Sequence, residues 1–464
     1  MITSYAATLT LSKKTSLIFI LIFTAIVVFD STIVEFSSYS GIRLQTWSNV
    51  AIFIIFSIIF VASSTILLNS VRKNMSTHAY KPAPPLVRYF HVIISATQIL
   101  TVAIILIIIF QILILNKYSL ILLQAQAYLS HLSALVFLSF LVFLFAGWLK
   151  NSKRNYVIML YTISFALASV NLVVSLIYLE SYFSFTGLSV IIPYPITSYV
   201  TNQPGTPFTE SLSTVFDALS VSSFLLMWIA TAIFLSHYRH KMGRIKYFLL
   251  MSIPLIYYIF PFQSYFGDVL FPLLLSSPIS FSIIYVLIFS ATKQVGAVLF
   301  SLAFWAASTL VYDNRIRKSL LISSIGMMIL FGTFEISPLQ YHVYPPYGFI
   351  TQAFIPLGAY LLFVGIFTSA KNISRDSELR KEFYKSAASQ LTLLKAIGVS
   401  QMEKELEKNV KSIEKRLLER TGESHFEEQR LEEENVKEIL HDVLNELYYS
   451  KGKKERHGNH NPLR

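Results

Sequence analysis

The sequence has no cysteine among its 464 residues. That excludes disulfides, thiolate metal sites, cysteine nucleophiles and palmitoylation. Charge is also scarce: 14% of residues are charged, against about 25% in ordinary soluble domains. No paired-histidine metal motif, Ser-centred glycine elbow or phosphate-binding loop is present. Nothing in this pattern requires a cofactor or a metal, and the expectation is no enzyme. A soluble chain that is 54% hydrophobic would have to bury more apolar surface than its cores can hold. The main body is therefore expected to use the lipid bilayer as its solvent, with no role in binding nucleic acid.

What charge there is falls unevenly. Of 38 Lys/Arg and 26 Asp/Glu, 19 and 18 lie from residue 370 onward. The expected domains are a transmembrane helical bundle at 1–369, a cytoplasmic helical tail at 370–450 and a disordered basic end at 451–464. Apolar runs long enough to cross, about 17–25 residues, fall at 15–36, 47–69, 89–115, 127–149, 156–179, 214–236, 319–337 and 348–369. The first follows Lys13 and Lys14 without a small-residue cleavage site, so it reads as a retained span.

Loop charge orients the chain. With the N-terminus inside, 16 of the body's 19 bases fall in inner loops, Arg43 and Lys117 lie outside, and Lys293 is left over. An even number of crossings must separate Lys246 from Arg315. Two give about ten crossings in an all-α polytopic bundle, in the cell membrane with both termini cytoplasmic. The 247–311 region holds three apolar pieces, so one is not a full crossing. Ser276-Ser277-Pro278 is a helix start, and Thr292-Lys293-Gln294-Val295-Gly296 interrupts the apolar run with polar groups. The preferred reading is one discontinuous span over 278–311, broken at 293–296. The alternatives are a re-entrant 295–311 or a re-entrant 247–262. Irregular backbone at membrane depth persists only inside protein or beside a wet cavity.

The body's acids take the opposite side. Asp30, Glu35, Glu180, Glu210, Asp217, Asp268 and Glu335 fall at outer span ends or outer loops, and only Asp313 is inside. Such a face concentrates cations. Asp30, Asp217 and Glu335 lie within apolar runs and, with Lys293, form the candidate intramembrane polar site. Glu35, Glu180, Glu210 and Asp268 form the candidate outer acidic face. Solvation at the headgroup layer is the plainer explanation for each. His131 and His342 both lie near the outer face, but their spacing matches no ligand motif, so no metal site is assigned. The proline-rich 183–213 loop and Tyr344-Pro345-Pro346-Tyr347-Gly348 read as stiff turns with interfacial tyrosines. No small-residue dimer motif is found at Gly358.

In the tail, Leu379 and Phe383 open a charged amphipathic stretch, Leu391, Leu394 and Ile397 follow, and Gly398 interrupts. Met402, Leu406, Val410, Ile413 and Leu417 then recur at helical spacing, and Val436, Leu440, Val443 and Leu447 mark a second helix. Each run covers about two heptads, so a coiled-coil dimer and an intramolecular helix pair both fit. The expected partner surface, or self-association surface, is 374–449. Leu440-His441-Asp442 has the look of a phospho-acceptor box, but the 22 residues after it cannot hold an ATP-binding domain.

Ile288-Phe289-Ser290-Ala291-Thr292-Lys293, Phe304-Trp305, Tyr344-Pro345-Pro346-Tyr347-Gly348, Asp376-Ser377-Glu378-Leu379-Arg380 and Ile397-Gly398-Val399-Ser400-Gln401-Met402 resemble a family of uncharacterised multi-span membrane proteins of ammonia-oxidising archaea. The resemblance covers the C-terminal two-fifths of the chain. Where that family carries Pro and paired Gly after the Lys, this sequence has Gln294, Val295, Gly296 and Ala297. The resemblance implies a membrane location and no activity.

Two functions fit. One is a non-enzymatic sensor or assembly scaffold that signals through the tail. The other is a secondary transporter or channel for a cation or amine, using the acidic outer face and the broken span near Lys293.

Overall fold

A computed structural model describes residues 12–40, 46–76, 85–151, 155–186, 191–193, 207–236, 243–259, 292–311, 313–333, 345–375 and 392–421, with a few isolated positions between them. The helices are α1 Lys13–Ser40, α2 Thr46–Ser76, α3 Pro85–Leu115, α4 Leu120–Asn151, α5 Tyr156–Thr186, α6 Pro207–Leu235 and α7 Arg244–Ile259. They continue with α8 Thr292–Leu310, α9 Asn314–Thr333, α10 Tyr347–Ala353, α11 Ile355–Arg375 and α12 Thr392–Thr421. Two short strands, β1 Lys117–Ser119 and β2 Ile191–Pro193, pair antiparallel between the α3–α4 and α5–α6 connections. The chain divides into two compact units, Met1–Glu403 and Lys404–Arg464.

Side chains start the helices where the sequence changes character. Asn155 Oδ1 accepts from the Val157 and Ile158 amides at 3.1 and 3.2 Å. Asp313 Oδ1 does the same for Arg315 and Ile316 at 2.6 and 3.0 Å. Both are N-caps that satisfy amides with no partner inside the helix. Asp313, the acid that the charge pattern leaves on the inner side, therefore has a structural role.

The chain is a multi-pass membrane protein, but with fewer spans than its sequence suggests. Among the described residues, 7 helices are long and apolar enough to cross, against about ten expected. They are Trp47–Lys73, Pro85–Leu115, Leu120–Lys150, Tyr156–Ser181, Pro207–Leu235, Asn314–Thr333 and Gly348–Ser374. The shortfall has physical causes. α7 has 16 residues and contains Pro254, which gives about 24 Å of helix against a core of about 30 Å. The apolar part of α8, Gln294–Leu310, is also short. α1 begins at Lys13 and Lys14, runs apolar from Leu17 to Phe29 and reaches Asp30; its side chains from 31 to 40 lie outside the described residues. Most of 278–291 lies outside the described residues.

The expected break does not fall inside 293–296. α8 is helical from Thr292 through Lys293 and Gly296 to Leu310, and most of 278–291 before it lies outside the described residues. Gly296 is there for close approach: a Cβ on it would run into the Phe224 ring of α6. Phe224 in turn stacks flat on Tyr258 of α7, with centroids 3.5 Å apart. The bent element lies elsewhere, at the junction of α10 and α11.

The α10–α11 span is the axis of the bundle. Its apolar window is 100% buried, whereas that of α3 is 28% buried and turns side chains such as Val92 and Ile99 outward. α9 and α11 run antiparallel and almost touch. A Cβ on Gly358 would lie 2.7 Å from the Leu330 amide nitrogen, Gly326 faces the Leu362 backbone, and Gly365 faces Ser323. Gly358 and Gly365 are seven residues apart, hence on one helix face. The small residues thus serve an internal contact, through a register that the four-residue spacing of a dimer motif does not describe.

Paired serines hold two further crossings. Ser164 and Ser223 each donate to the other's backbone carbonyl, at 2.8 and 3.1 Å. Ser301 and Ser324 repeat the arrangement between α8 and α9, both at 2.8 Å.

Candidate functional site

The bend in the last span is built from three residues. Pro356 has no N–H to offer the carbonyl four residues back, and the Phe354 amide turns onto the Gln352 and Thr351 carbonyls instead. Its distance to the Thr351 carbonyl is 3.2 Å, and helical bonding resumes from Gly358 to Phe354 at 2.9 Å. The Phe354 ring fixes the position of the bend. It packs edge-on against Phe23 of α1 and Phe60 of α2, with centroids 5.1 and 4.7 Å away.

One turn before the bend, Thr351 faces α1 and donates its hydroxyl to Asp30 Oδ2. Asp30 is 1% exposed, Thr351 3% and Gln352 1%. Asp30 Oδ1 and both amide atoms of Gln352 have no hydrogen-bond partner among the described residues. Desolvating a carboxylate without compensation costs several kcal/mol. A polar group that stays at such a depth needs a partner.

A second polar seam follows α4. Gln126 Nε2 donates to Thr101 of α3 at 3.2 Å and to Ser130 at 2.8 Å. Thr97 and Ser133 are 3.2 Å apart. His131 is buried, with Nδ1 donating to the Ala127 carbonyl at 2.8 Å and Nε2 accepting from Ser175 of α5 at 3.2 Å. The carbonyl can only accept, which fixes the tautomer. Both ring nitrogens are engaged, and His342 lies outside the described residues. The described residues bring together no group of three or more His, Asp or Glu able to hold a metal. Gln98 and Asn171 on the flanking helices are buried without side-chain partners among the described residues.

The other candidate residues are dispersed. Asp217 is exposed on α6, and Glu210 is exposed in its first turn, where an acid complements the helix dipole. Glu180 is exposed and accepts from the Tyr128 hydroxyl at 2.8 Å. Glu35 lies in α1 and Lys293 in the first turn of α8; the side chains of both lie outside the described residues, as do Asp268 and Glu335. Of the two intramembrane candidates whose side chains are described, Asp30 is buried and Asp217 is exposed. Sequence reasoning missed Thr351, Gln352 and Pro356. The signal was available: two polar residues followed by a proline inside an apolar run.

The beginning of α12 makes a second site of interest. Gly398 does not interrupt the helix, as its spacing suggested; a Cβ there would collide with Ile373 of α11. The Trp148 indole N–H of α4 donates to Gln401 Oε1 at 3.2 Å, with both side chains buried. Leu393, Leu394, Ile397 and Met402 are buried beside them. The second tail helix expected near 436–447, His441 and the segment 451–464 lie outside the described residues.

The resemblance to archaeal membrane proteins finds no support in comparison with known proteins: no family model, no curated protein and no solved structure matches this chain.

Proposed function

We propose that this protein is a non-enzymatic membrane sensor or scaffold that communicates through its cytoplasmic helix, with both termini on the cytoplasmic side. The observation that carries this reading is the seating of residues 392–402 against α4 and α11 through Trp148–Gln401 and Gly398–Ile373. α11 continues from the bend beside Thr351 to Ile373 under Gly398, so one rigid element joins the buried polar site to the tail. A shift at one end has a mechanical route to the other. The exposed Lys404 and Lys408 lie just beyond the seated turns and offer positions for a photo-crosslinker. In native membranes, adducts from these positions are expected to change when Gly398→Leu unseats the helix. The same adducts from seated and unseated chains would refute the reading.

A second reading, a secondary transporter or channel for a cation or amine, is favoured by the buried Asp30 at a helix bend. It draws no support from Lys293, whose side chain lies outside the described residues. Flux into vesicles that is lost in Asp30→Asn is its test.

A further inference from the structure

We propose that Asp30 and Thr351 form the centre of a binding site for a monovalent hard cation, sodium, at the bend of the last span. The assignment concerns binding and depends on neither functional reading. Asp30 Oδ2 already takes the Thr351 hydroxyl, while Oδ1 has no described partner. The neighbouring Gln352 carries a buried amide oxygen with no described partner. Buried oxygens without a described donor therefore occur on the Asp30 carboxylate and on the residue next to Thr351. A proton would satisfy Asp30 alone and leave the Gln352 amide oxygen orphaned. A hard cation takes several oxygens at once, carbonyl, hydroxyl and carboxylate together, and unwound backbone beside a membrane carboxylate is where such ions bind.

Charge fixes the valence. Among the described residues no basic group pairs with Asp30, and no second acid joins it. One carboxylate neutralises one positive charge, whereas a divalent ion would leave a net charge buried. The seat is also preorganised. Phe354 is clamped by Phe23 and Phe60, so the turn that carries Thr351 and Gln352 is held before the ion arrives.

The test uses the full chain in lipid nanodiscs at a mildly alkaline pH, with sodium chloride replacing choline chloride at constant ionic strength. Thermal unfolding is expected to shift upward and saturate with sodium. Asp30→Asn, a neutral isostere, is expected to abolish the shift. Thr351→Val is expected to weaken apparent sodium affinity by about tenfold, while Thr351→Ser preserves it. If Asp30→Asn does not fold, the Val and Ser pair carries the test. The proposal is overturned by a wild-type transition indifferent to sodium, by a sodium shift that survives Asp30→Asn, by an unchanged sodium affinity in Thr351→Val, or by a transition that moves with pH alone, which would identify a proton site.

Discussion

Trp148 of α4 and Gln401 of α12 meet through a buried hydrogen bond of 3.2 Å, 253 residues apart in sequence. Gln401→Leu leaves the indole N–H without an acceptor, at a cost of about 1–3 kcal/mol. Hydrogen exchange over 392–402 is expected to quicken in this variant, while exchange in α5 and α6 stays unchanged. Equal protection in both proteins would show that the contact does not hold the helix.

The α9–α11 register makes a sharper forecast. Gly326→Val or Gly358→Val places side-chain atoms where backbone already lies, and overpacking of this kind costs about 1–3 kcal/mol or more. Gly243→Ala differs: its φ is +87° but nothing lies within 4 Å. It is expected to lose only about 1 kcal/mol, from backbone strain. Thermal unfolding in detergent should rank the three accordingly.

Gln352 makes a forecast of opposite sign. Removing a buried polar group that lacks partners is neutral or stabilising. In sodium-free buffer, Gln352→Leu is expected to raise stability, by about 1 kcal/mol or more. With sodium present the gain is expected to shrink, because the substitution removes an oxygen that the ion uses. Denaturant titrations in the two salts measure the difference.

The serine clasps lend themselves to double-mutant cycles. Ser164→Ala, Ser223→Ala and the double variant are expected to show coupling of about 0.6 kcal/mol, the usual worth of such bonds between membrane helices. Ser301 and Ser324 have the same reciprocal geometry and are expected to give a similar value. Strictly additive losses would assign the serines to packing alone.

Hydropathy made most of the spans legible, because length and apolarity are read directly against the thickness of a bilayer. It failed between 247 and 311, where the described helices are α7, with 16 residues and Pro254 inside it, and α8, whose apolar part Gln294–Leu310 is also too short to count by length alone. The bend went unread for a related reason. Pro356 sits inside an otherwise apolar run, so composition is unchanged while one backbone hydrogen bond is lost. Gly398 misled in the opposite direction. In a sequence it looks like a helix breaker, but Ile373, invisible at that distance along the chain, supplies the side chain it lacks. Asp30 was legible as an acid in an apolar run. Its partner was not, because 321 residues separate it from Thr351.

The full burial of α10–α11 has a consequence for biogenesis. Every other described span leaves the ribosome before it, so the earlier helices enter the bilayer while the place at their centre is still empty. During that interval lipid or loosely associated neighbours must cover Gly326, Ser323 and Asp30. Assembly is thus separated in time from insertion: the final hairpin of α9 with α11 closes the structure in one late event. A ribosome stalled before residue 345 would hold a chain whose Gly326, Ser323 and Asp30 have not yet met the helix that covers them.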